Sequence, residues 1–142
     1  MKSAIIAAGV AGLAAGAAQG DVVINEILGS TTSADSEFIE LYNTGASTVD
    51  LTDWTIELWD SDDGAGFGGA DGTSPYTLSG SVAPGDHFLL ANMEFSNNYS
   101  ATPDQVVDDN AIENSSYTMV LRDAASTIIE TFFMTDGDAG DA

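Results

Sequence analysis

Cysteine is absent from this chain of 142 residues, and basic side chains nearly so. Lys2 and Arg122 stand against 23 acids, for a formal net charge of −21. Without cysteine there is no disulfide framework, no thiolate metal site and no lipidated cysteine to tether the chain. An apolar core alone must hold the fold. Without Lys and Arg, binding to nucleic-acid phosphates is excluded, because that binding works by releasing counterions from a polyanion. Anionic membrane surfaces are excluded on the same ground. Histidine occurs once, at His87, beside a turn and at the start of an apolar run. A structural role suits it better than catalysis. No G-x-S-x-G elbow, phosphate-binding glycine loop with lysine, or zinc-ligand spacing is present. Carboxylates are so abundant that no chosen pair marks a glycosidase cleft. We therefore expect no catalytic residues and no enzyme.

The first twenty residues differ from the rest. Lys2 gives a short positive start, Ala4 to Ala18 is an uncharged run of small and apolar residues, and Ala18-Gln19-Gly20 has a small-x-small pattern followed by Asp21. This is the pattern of a secretory signal peptide, too short and too rich in Ala and Gly for a spanning helix. The expected organisation is a leader over 1–20, one domain over 21–134, and an acidic Gly/Asp tail over 135–142. The mature protein would be secreted or at the cell surface, with no membrane attachment after cleavage. Arg122 would then be its only strong base. Self-repulsion of this size destabilises a compact state at low salt and is tolerated when screened.

After the leader, period-two alternation dominates. In Glu37–Asn43 (EFIELYN), Ile39 and Leu41 share one face, and Phe38, Glu40 and Tyr42 the other. In Trp54–Trp59 (WTIELW), Trp54, Ile56 and Leu58 oppose Thr55, Glu57 and Trp59. Strand side chains alternate in this way, so each run offers a continuous apolar face. Val22–Leu28 is a strand in which Val23 and Glu26 break the alternation, which suits a partly exposed edge. Pro75–Leu78 is a short strand. His87–Met93 is nearly all apolar and fits a central strand. Glu94–Ser116 is a long excursion with a short strand near Gln105–Val107. Tyr117–Met134 closes the chain as a hairpin turning at Asp123-Ala124-Ala125. Tyr117, Met119 and Leu121 share one face of it. In its second strand Ile129, Thr131 and Phe133 oppose Ile128, Glu130 and Phe132. The expected fold is all-β, an antiparallel β-sandwich of seven or eight strands with no helix after the leader.

Four segments, in order, carry a family resemblance: INEI at Ile24–Ile27; EFIELYN with VDLTDWTI, spanning Glu37–Ile56; LSGSVAPGDHFLLA at Leu78–Ala91; and Tyr117–Met134. Together they resemble the lamin tail domain, which implies an immunoglobulin-like sandwich acting as an interaction or structural module. Asp53 departs from that pattern, which favours a small residue, often Gly, before the Trp. The acidic loop after Trp59 is a second departure. Some members of the family are linked to chromatin, which the charge of this chain does not support. Similar bacterial modules accompany nuclease or phosphatase domains in exported proteins, which implies an accessory role here.

Three features could carry recognition. Asp60–Ser74 (DSDDGAGFGGADGTS) holds four acids and five glycines in 15 residues. Glycine lets a short loop turn its oxygens inward and Asp supplies hard oxygen ligands. Asp60, Asp62, Asp63 and Asp71 are therefore candidate calcium ligands, and calcium is the one candidate cofactor. Their spacing only echoes the start of an EF-hand loop, and a solvated connection is the plainer expectation. Asp136, Asp138 and Asp141 form an incomplete version in the tail, which is otherwise a solvated end or linker. Trp54 is expected in the core. Trp59 lies opposite and either packs against the acidic loop or joins Tyr42 and Tyr76 in a sugar-binding platform. The Asn98 and Asn114 sequons are read as plain loop sequence. The expected partner is a protein or an extracellular polymer.

Overall fold

The computed structural model describes residues 22–29, 36–60, 75–108, 112 and 116–134. The strands are β1 (Val22–Leu28), β2 (Phe38–Asn43), β3 (Val49–Asp50), β4 (Thr55–Asp60), β5 (Tyr76–Thr77), β6 (Ser81–Val82), β7 (His87–Ala91), β8 (Gln105–Val106), β9 (Tyr117–Arg122) and β10 (Ile128–Met134). One helix, α1 (Met93–Tyr99), follows β7. Two four-stranded sheets run in the orders β1-β2-β7-β8 and β10-β9-β4-β5, and β3 pairs with β6 in a separate ribbon. All pairings are antiparallel except that of β7 with β8. The sheets are open, and the architecture is consistent with an immunoglobulin-like all-β fold.

The alternation read from the sequence decides which face each strand buries. Ile39 and Leu41 of β2, Phe88 and Leu90 of β7, Ile56 and Leu58 of β4, and Met119 and Leu121 of β9 are all buried in one cluster. Trp54 joins them, only 4% exposed. Both sheets thus cover a single core, and burying each Leu or Ile in it contributes about 2 kcal/mol. β1 is an edge strand as expected. Its register slips between Ile24 and Glu26, so Asn25 is a bulge residue and the broken alternation has a structural cause.

Asn43 closes the inner face of β2 with a buried amide. Its Nδ2 donates to the carbonyls of Ser47 (2.9 Å) and Val82 (3.0 Å), and its Oδ1 accepts from the Gly45 amide (2.9 Å). Its backbone exchanges hydrogen bonds with Asp86 and Gly85. A buried amide is tolerated because its hydrogen-bonding groups are matched. Asp53 has φ 63°, in the third position of a turn closed by the Trp54 amide on the Leu51 carbonyl (3.0 Å). That left-handed conformation explains why Gly is usual there; Asp is among the few other residues that adopt it readily. In the same turn the Thr52 side chain and amide donate to the Asp50 carboxyl and hold its pKa below the usual value.

Three expectations need correction. Strands number ten among the described residues, because four of them are only two residues long. The strand from His87 ends at Ala91 rather than Met93, and α1 occupies a stretch read as loop. Asn92 caps it, accepting from the Phe95 amide at 2.9 Å. Glu94 sits in its first turn, and Ser100 ends it with φ 54°. The third correction lies in β10, whose register slips between Ile128 and Glu130. Ile128 thereby moves onto the face of Thr131 and Phe133.

Candidate functional site

Of the candidate calcium ligands, Asp60 ends β4, its backbone opposite Tyr117. Asp62, Asp63 and Asp71 lie outside the described residues, as do Asp136, Asp138 and Asp141. Among the described residues no three His, Asp or Glu side chains converge as an ion-binding group.

The outer face of the β1-β2-β7-β8 sheet carries His87. Its ring packs against Tyr42 with centroids 4.7 Å apart, and its Nε2 lies 3.7 Å from Oε1 of Glu40. Asn25 donates to that same oxygen at 2.7 Å. Glu26 stands directly across the strand pair from Glu40, a like-charge arrangement that costs stability. At the end of this sheet α1 folds back over β2. Phe38 meets Phe95 at 4.9 Å, and Phe95 meets Tyr99 at 4.9 Å. The joint is Asn92: its side chain also accepts from the Glu37 amide (3.2 Å), and its own amide donates to the Glu37 carbonyl. Asn98 adds a bond to Ser36 Oγ at 3.0 Å. The sequon asparagine is thus part of the helix anchor.

The outer face of the other sheet is built on the register of three strands. Trp59, Thr118 and Phe133 form one row, Glu57, Val120 and Thr131 the next, and Thr55, Arg122 and Ile128 the third. With neighbouring strands about 4.8 Å apart, Trp59 and Phe133 stand about 10 Å from each other across Thr118. Glu57 lies at the centre and uses both oxygens: Oε1 receives Arg122 Nε at 2.9 Å, and Oε2 receives Trp59 Nε1 at 3.0 Å. The second bond ties the indole to the side chain two residues back on the same face. Arg122 Nη1 also donates to the Ser126 carbonyl at 3.3 Å. Phe133 is 56% exposed.

This arrangement revises the expected aromatic platform. Tyr42 lies on the outer face of the opposite sheet, and Tyr76 packs against the core. The partner that Trp59 does have on its own face is Phe133. Strand alternation placed Phe133 on one side of β10, but no local signal could show that the side is that of Trp59, because the register across β9 decides it. The Glu57–Arg122 pair was missed for the same reason.

One further group is unusual. Tyr117 is buried at the start of β9, and its hydroxyl has no hydrogen-bond partner among the described residues. Burial alone pushes its pKa up to about 12.

No curated protein matches the chain. The family model of the lamin tail domain matches residues 15–136, a span that overlaps the end of the expected leader and covers every strand described above. That domain is a non-catalytic immunoglobulin-like unit, which supports an interaction or structural role. The match covers most of the chain, and the protein belongs to the lamin tail domain family.

Proposed function

We propose that this chain is an exported, non-catalytic interaction module that holds a protein or extracellular polymer at the cell surface or beyond it. The observation that carries this reading is the outer face of β4, β9 and β10. There a neutralised ion pair sits beside half-buried Trp59 and exposed Phe133 and Ile128, on a chain that is otherwise strongly acidic. Exposed apolar groups rimmed by polar ones mark interaction surfaces. The leader pattern over residues 1–20 supports export. Fractionation of cells producing the full chain tests the first half of the proposal. The expected product begins at Asp21 by mass and lies in the medium or surface fraction. Retention inside the cell at full length overturns export. Sedimentation of the purified protein with cell-envelope or matrix material tests the second half, and its absence overturns the interaction role.

A second reading makes that interaction calcium-dependent. It rests on the sequence alone, on the Asp and Gly content of Asp60–Asp71 and on Asp136–Asp141. A melting temperature that rises in millimolar calcium, against monovalent salt at matched ionic strength, supports it. An unchanged value removes it.

A further inference from the structure

We infer that the Trp59–Thr118–Phe133 face binds an uncharged polysaccharide. The inference rests on the interaction-module reading above and names the ligand class of that same face.

The indole of Trp59 is held by its bond to Glu57 on the same face, and Phe133 stands one strand beyond Thr118, about 10 Å away. Two aromatic side chains at that spacing on one sheet face, Phe133 exposed and Trp59 half-buried, suit an extended polymer of sugar rings better than a compact ligand. The apolar faces of pyranose rings pack on aromatic faces, while their equatorial hydroxyls need donors and acceptors at the rim. Glu57 and Arg122, paired at 2.9 Å, are the polar groups beside them; a carboxylate oxygen has a second lone pair and a guanidinium five N–H donors, so the pair can still meet hydroxyls.

Charge decides the class of polymer. A net charge of −21 repels polyanions, which removes uronic-acid and sulfated chains. Arg122 is the only arginine in the chain and is already matched by Glu57. The face therefore offers no spare cation to an anion. Among the described residues of the three rows it offers no spare carboxylate to a cation either, since both oxygens of Glu57 are engaged. A cationic polypeptide would find stronger attraction elsewhere on the surface, for example at Glu26 beside Glu40.

The test is affinity electrophoresis and tryptophan fluorescence of the purified mature chain. The neutral probes are mixed-linkage β-glucan, xylan and glucomannan; alginate serves as the anionic probe, and chitosan and polylysine as cationic ones. The expected result is binding to at least one neutral polymer and not to alginate, with a fluorescence change on binding. Trp59→Ala and Phe133→Ala should each weaken that binding about thirtyfold, the loss typical of an aromatic anchor. Asp86→Asn, in an exposed turn, should leave it unchanged. Phe133 is exposed enough that its removal leaves the core intact, and a thermal melt of each variant separates lost binding from lost fold. Binding only to chitosan or polylysine, or neutral-polymer binding indifferent to both aromatic variants, overturns the inference. So does binding to none of the neutral probes. If envelope sedimentation persists in both aromatic variants, the sugar face falls while the interaction role stands. If the wild-type chain does not sediment at all, the broader reading falls as well.

Discussion

On the inner side of β2, Ile39 and Leu41 do what Ile56 and Leu58 do on the inner side of β4: all four are fully buried in one shared cluster. The outer sides of the same two strands diverge. On β2, Glu40 faces Glu26, and the end of the sheet is covered by α1. On β4, Glu57 is neutralised by Arg122, and Phe133 stands exposed two strands away on the same face. Core burial requires only apolar volume of the right period, so the inner faces are interchangeable in kind. The outer faces are free to differ, and their differences are where recognition can reside.

The largest effect should test the likeness of the two interiors. Leu41→Ala and Leu58→Ala should each cost about 3 kcal/mol, since both side chains are fully buried. Denaturant melts giving costs that differ by more than about twofold would mean the sheets do not share one evenly packed core. Of similar size is the response to alkali. The pKa of Tyr117 is raised from 10 to about 12 in the folded state, so the folded protein holds this proton more tightly. Its contribution is complete below pH 10, declines as pH climbs toward 12, and totals about 3 kcal/mol. Tyr117→Phe should abolish that decline and, by removing a buried hydroxyl that has no partner among the described residues, raise stability at neutral pH by about 1 kcal/mol. A pH 9–12 stability profile unchanged by the substitution would refute this.

Asn92→Ala should cost about 1–2 kcal/mol, because it removes the cap of α1 and the acceptor of the Glu37 amide together. Hydrogen exchange should then show α1 opening while the outer face of β4, β9 and β10 is unaffected. Opening at both faces would show that they are coupled. The smallest expected effect is the most direct comparison of the two surfaces. Glu26→Gln should stabilise by a few tenths of a kcal/mol through relief of repulsion, whereas Glu57→Gln should destabilise by up to about 1 kcal/mol. Added salt should shrink both changes, and equal signs in chemical denaturation would end the contrast.

The strands were legible wherever one face is buried and the other wet. In β2, β4 and β9 the alternation of Ile39, Leu41, Ile56, Leu58, Met119 and Leu121 is unbroken, and all six are buried as it requires. It failed where the period itself slips. The bulge after Ile128 moves that residue to the other face, and nothing in IIETFFM announces the slip. The helix was missed because MEFSNNY is short and follows an apolar run; Asn92 was its one signal, an N-cap residue with Glu94 two positions on. The Trp59–Phe133 row was not legible at all, since residues 74 positions apart become neighbours only through the register of β9. Asp53 stands out in the sequence, and its left-handed backbone supplies the reason.

One bond between the sheets bears on how copies of this protein behave together. The Ile24 amide, on the outer margin of β1, donates to Oε2 of Glu130 on β10 at 2.6 Å. An outermost strand with spare amides is a template on which a second molecule can grow a continuous ribbon. Here one such amide is already occupied by a carboxylate from the same molecule, and the group that occupies it would repel the acid-rich neighbour as well. Glu130→Ala should therefore make concentrated solutions scatter more light over time, and unchanged scattering would show that the seam does not guard against polymer growth.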